Sequence, residues 1–147
     1  MEQSIDGLLG LFEEKDGYLR KLNKDVYEAN TESFKEVYGK YVDDLLTRIG
    51  ESADAAKEEE TVAASFAGKV WDTYSKNGKM KMNLLMDLNF IMIYYIFPYL
   101  LKSGDENASH FARTLKNKWN EVMGSNISYA PYEEIAEGFK KKLFGFF

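Results

Sequence analysis

At 147 residues the chain is long enough to bury a core of its own, and its 45% apolar and 29% charged residues exclude a disordered polypeptide. The absence of cysteine excludes a disulfide framework, thiolate metal ligands and a cysteine nucleophile together. The net charge of −5 is unevenly divided, with 10 Lys+Arg against 17 Asp+Glu in residues 1–78 and 9 against 7 in residues 79–147, a balance that argues against a nucleic-acid binder.

Apolar spacing reads as helix along almost the whole chain, and only two prolines, Pro98 and Pro131, interrupt it. A first helix is expected over Ser4–Glu14, with Ile5, Leu8, Leu9 and Phe12 on one face and Gly7 and Gly10 weakening it. Tyr18, Leu19, Leu22 and Val26 continue a stripe. A stronger one follows in Phe34, Val37, Tyr38, Tyr41, Val42, Leu45, Leu46 and Ile49. Residues 16–49 form either one helix or two, and a break near Asn30-Thr31 is the favoured reading because Thr31 suits an N-cap.

The next helix begins in "ESADAAKEEE", with acids where the helix dipole favours them, and buries Ala63, Phe66, Ala67, Val70, Trp71 and Tyr74 before Asn77-Gly78 ends it. An apolar helix over about residues 79–102 comes next. Beyond the "SGDEN" turn, Ala108, Phe111, Ala112, Leu115, Trp119 and Val122 make a fifth stripe that closes at Gly124. Pro131, with Glu133 and Glu134 behind it, starts a last helix lined by Ile135, Ala136, Phe139 and Leu143.

The run from Leu84 to Leu101 has Asp87 as its only charge. Eighteen residues span roughly 27 Å, marginal for a bilayer core, and an internal carboxylate costs about 2.5–3.5 kcal/mol near the centre of a span. Four other apolar stripes need something to cover them. A helix apolar on nearly all sides serves that purpose, so the run is read as the central helix of a soluble bundle. Pro98 lacks the amide that would bond back to Tyr94 and is expected to kink the helix or end its regular part.

Candidate chemistry is sparse. Asn83, Asp87 and Tyr94 fall near one line of that helix, a polar stripe that would orient a small apolar ligand or, alternatively, lie on an exposed edge. His110, the only histidine, has Asp105 and Glu106 nearby in sequence, but without a second imidazole it reads as a surface or capping residue rather than a metal ligand. Glu58, Glu59 and Glu60 read as a solvated helix face. Met80, Met82, Met86 and Met92 crowd the start of the apolar helix, either as core filler or as an adaptable binding surface. The terminal "KKKLFGFF" either covers the end of the core or sits on a membrane or partner.

The fold expected is therefore all-α, one domain over residues 1–147, a bundle of five or six helices around the apolar helix. The function expected is a non-catalytic interaction or regulatory protein, in contact with a protein partner or a second copy of itself. It is expected to be cytoplasmic, without nucleic acid, metal or cofactor. A ligand pocket beside Asp87 and Tyr94 is the alternative; membrane association through residues 84–101 or the C-terminal tail is a more distant one.

Overall fold

The computed structural model describes residues 2–14, 24–102 and 104–128, with the side chains of residues 13, 14 and 24–31 excepted. The reading of Tyr18, Leu19, Leu22 and Val26 as a stripe, the helix after Pro131 and the KKKLFGFF tail lie outside the described residues or side chains. Within them the chain is all-α. It forms α1 (Glu2–Glu14), α2 (Lys24–Glu51), α3 (Ala55–Tyr74), α4 (Met82–Lys102) and α5 (Glu106–Met123).

Helix α2 runs unbroken through Asn30 and Thr31, which corrects the expected break there. Asn and Thr cost less than about 0.7 kcal/mol each in a helix interior, little against the burial of Phe34, Tyr38, Val42, Leu45 and Ile49 along the same helix. Helix α1 lays Ile5, Leu8, Leu11 and Phe12 into the core. Its glycines, which weaken it as an isolated helix, serve its packing: a Cβ on Gly7 would stand 2.5 Å from the ring of Tyr41. Gly39 in α2 plays the same part for α4, since a Cβ there would meet the Tyr99 hydroxyl at 2.9 Å.

Helix α3 starts at Asp54, whose side chain accepts a hydrogen bond from the Lys57 amide. It is joined to α4 by a tight turn in which Asn77 and Gly78 both have positive φ, 55° and 72°, while Lys76 and Lys79 exchange backbone hydrogen bonds of 2.7 and 3.0 Å. These are the dihedrals that an Asn-Gly pair tolerates best. At the far end of α5, Gly124 closes the helix in the left-handed conformation and donates to the Asn120 carbonyl.

The apolar run is divided between core and surface. From Leu88 onward most of it is buried, including Ile91, Met92, Ile93, Tyr95, Ile96, Phe97 and Leu100. Its first turns are not: Met82 and Met86 are 69% and 47% exposed, and Leu84, Leu85 and Phe90 are half-buried. The helix is long and apolar enough to cross a membrane by length and composition, with mean hydropathy 1.6, but half of that window is packed inside the fold. Pro98 does not end it. Residues Met92–Ile96 widen into a π-helical turn, and the Phe97 amide bonds to the Met92 carbonyl five residues back. The wider turn ahead of Pro98 relieves the clash of its ring with the preceding turn, and the helix resumes to Lys102.

The most extensive helix pairing is α3 against α5, and α2 touches every other helix. Trp119 on α5 is fully buried, stacked on Phe12 at 6.0 Å and tilted against Phe66 at 6.2 Å. Trp71, expected on the buried stripe of α3, is only half-buried at the edge of the core, and Val37 of the α2 stripe is 49% exposed. Both stand at the margin of their helix's apolar arc.

The two tryptophans should therefore differ on truncation. Trp119→Ala is expected to cost about 3–5 kcal/mol in denaturant unfolding, and Trp71→Ala about 1–2 kcal/mol. Equal losses would contradict the burial difference.

Candidate functional site

The sequence points to Asn83, Asp87 and Tyr94. Asn83 is exposed, while Asp87 and Tyr94 are half-buried, and burial raises the Tyr94 phenol above its ordinary pKa. From Asn83 to Tyr94 is about 16 Å along the helix.

Asn89 is a polar side chain that α4 directs at α5. Its Oδ1 accepts from the Trp119 indole at 2.8 Å, and its Nδ2 donates to the Ser125 hydroxyl at 3.1 Å. Close by, Asn120 grips the backbone of Ile127, donating to its carbonyl at 3.1 Å and accepting from its amide at 2.9 Å. Together these bonds hold residues 125–128 beside α4. They leave a groove of about 240 Å³ lined by Met86, Asn89, Phe90, Ile93, Asn126, Ile127 and Ser128. Its floor is apolar and its rim carries amides and a hydroxyl, with the exposed Met82 one turn beyond.

A second cluster was not legible as such in the sequence. Glu59, read as part of a solvated face, is 6% exposed and packs into the α3–α5 seam. Its Oε1 accepts from the Thr114 hydroxyl and lies 2.7 Å from His110 Nδ1. The spacing that would have found it is present: Glu59, Val62, Ala63, Phe66 and Val70 follow one another on the buried arc of α3. His110 thus has a partner 51 residues away in sequence, rather than Asp105 or Glu106. Asp105 instead caps α5, accepting from the Asn107 amide at 2.9 Å. An open cleft of about 430 Å³ lies over the cluster, lined by Asp54, Ala56, Lys57, Glu59, Glu60, His110 and Thr114. Among the described residues no three carboxylate or imidazole side chains are grouped to hold a metal ion.

A third feature is the cleft of about 340 Å³ between α2, the end of α4 and the start of α5, where Leu46, Leu100 and Ala108 lie beside Lys35, Asp43 and Tyr99. The Tyr99 hydroxyl donates to Asp43 at 2.9 Å, and its ring packs on Phe34 at 5.3 Å. Burial first, then the hydrogen bond and the charge of Asp43, push the phenol up to about 12. No protein-family model, no curated protein and no solved structure matches this chain.

Two outcomes follow from these environments. Because Tyr99 keeps its proton in the folded state beyond the ordinary value of 10.0, the stability it contributes is present below pH 10 and is lost as pH rises from there through about 12. Tyr99→Phe should flatten that alkaline loss in denaturation measured across this window; an unchanged slope would count against the Asp43 contact. Asp87→Asn should change stability by less than about 0.5 kcal/mol, as for other substitutions outside buried networks. A loss of several kcal/mol would point instead to a pocket beside Asp87.

Proposed function

We propose that the protein is an interaction module whose contact surface is the outer face of the first half of α4, and that the occupant of this face is a second copy of the chain. The observation that carries the reading is the exposure of Met82 and Met86, one helical turn apart, beside the groove floored by Phe90, Ile93 and Ile127. Unbranched, polarisable methionine side chains fit themselves to an apolar partner at small conformational cost. The amide and hydroxyl rim of Asn89, Asn126 and Ser128 offers the partner directional bonds.

Charge favours self-association through this face over others. Two copies meeting through surfaces of residues 1–78 would bring together segments of net −7, whereas α4 belongs to residues 79–147, whose net charge is +2. A twofold contact also lets one apolar strip cover its own copy, with no further chain required. Complete burial of a methionine is worth about 1.5–3 kcal/mol, and association costs at least about 4 kcal/mol, so the dimer is a weak one, in the micromolar range or above. In this reading the chain works in the cytoplasm and off the membrane, and neither nucleic acid nor a cofactor takes part.

Sedimentation across a concentration series tests it. The wild-type chain should pass from monomer to dimer at high micromolar concentration, and Met82→Glu with Met86→Glu should hold it monomeric with unchanged helical circular dichroism. A wild-type monomer at every concentration, or a double variant that still dimerises, would overturn the proposal.

A further inference from the structure

The Glu59 cluster lies on the α3–α5 seam and serves none of the contacts proposed for α4. Its chemistry is uncommon for a helix seam. The Glu59 carboxylate is more than nine-tenths buried, yet the groups it contacts are an imidazole and a hydroxyl rather than a lysine or arginine. A carboxylate accepts hydrogen bonds, so the 2.7 Å contact suits the tautomer in which His110 donates from Nδ1 and carries its lone pair on Nε2. The His110 side chain is 62% exposed and lines the cleft. A buried carboxylate that sets the tautomer and steadies the positive charge of an imidazole is the arrangement that makes a histidine useful as a base or nucleophile.

The cleft also limits what such a nitrogen can attack. Asp54, Glu59 and Glu60 line it against the single ammonium of Lys57, so a dianionic phosphoryl donor meets net repulsion, whereas a neutral electrophile does not. We propose that His110 is a nucleophilic imidazole, positioned by Glu59, that accepts an acyl group from a small neutral ester in this cleft. Nε2 forms a bond to the acyl carbon as the carbonyl electrons move to oxygen. Their return breaks the ester C–O bond, and the alkoxide or phenolate leaves with its electron pair. The ring, now positive, passes its Nδ1 proton to Glu59. Water then attacks the acyl carbon and the Nε2–C bond breaks; the carboxylic acid departs, the second proton of the water passes to solvent and neutralises the released alkoxide or phenolate, and the ring recovers its Nδ1 proton from Glu59. Here His110 is the catalytic residue and Glu59 a positioning residue.

The full-length chain is incubated with p-nitrophenyl acetate, phenolate release is followed, and the acid-quenched protein is mapped by mass spectrometry. Wild type should release phenolate at least about tenfold faster than His110→Asn, with the acetyl group on His110. An asparagine amide can still donate to Glu59, and unchanged helical circular dichroism shows the variant folded, so His110→Asn decides the assignment. Glu59→Gln should lower the rate about tenfold and abolish the fixed Nδ1–H tautomer in nitrogen-15 spectra, which simple packing would not report. Equal rates in wild type and His110→Asn, or acetyl groups found only on lysines, would overturn the proposal. Turnover of p-nitrophenyl phosphate as fast as the acetate would overturn the neutral-substrate assignment, and a folded Glu59→Gln of undiminished rate would overturn the role of Glu59.

Discussion

The Trp119 indole is the point on which the described fold converges. It sits on α5, stacks on Phe12 of α1, tilts against Phe66 of α3, and donates its N–H to Asn89 of α4. Four of the five helices are therefore referred to one side chain. The apolar faces of the ring supply the large burial, and the N–H supplies direction. An indole that is fully buried must find an acceptor or leave a donor unsatisfied, at a cost of about 1–3 kcal/mol. Asn89 meets that need only if α4 is in the correct rotation, so the bond selects one packing of α4 against α5 from among those that burial alone would tolerate.

Helix α5 is positioned a second time by the Glu59 cluster. His110 and Thr114 lie one turn apart, both towards the carboxylate of α3, in the half of α5 that precedes Trp119. Two polar anchors at separate positions along one helix resist sliding in a way that an apolar seam does not, since hydrophobic burial is non-directional. A buried carboxylate is an expensive way to obtain register, because its desolvation must be recovered through its hydrogen bonds. That expense is the physical reason for looking to chemistry at His110 as well as architecture.

The central helix divides its duties along its length. Its second half is core, bounded by the π-helical turn and Pro98; its first half presents Met82 and Met86 outward. The extra residue in the wide turn lets the helix carry a proline within the bundle and still bring Tyr99 over Gly39 and onto Asp43. A single continuous helix thus joins the most rigidly packed part of the molecule to the face proposed for association, which would hold that face in a defined orientation.

Much of the fold was legible in the linear order of residues. The all-α class, the stripes of α1, α3 and α5, the Asn77-Gly78 turn and the Gly124 stop each follow from local periodicity or from backbone preferences that act within a few residues. The continuity of α2 through Asn30-Thr31 did not, because a modest local penalty was outweighed by packing elsewhere on the same helix. The candidate sites were least legible. Glu59 has the spacing of a core residue and the charge of a surface one, and only a partner 51 positions away decides between them. Likewise Asn89, and not Asn83, faces inward because the Trp119 indole waits there. The sequence by itself determined which faces are apolar, through the helical period. Tertiary structure alone decided which polar groups those faces enclose, because the partners that make a buried polar group tolerable come from other helices.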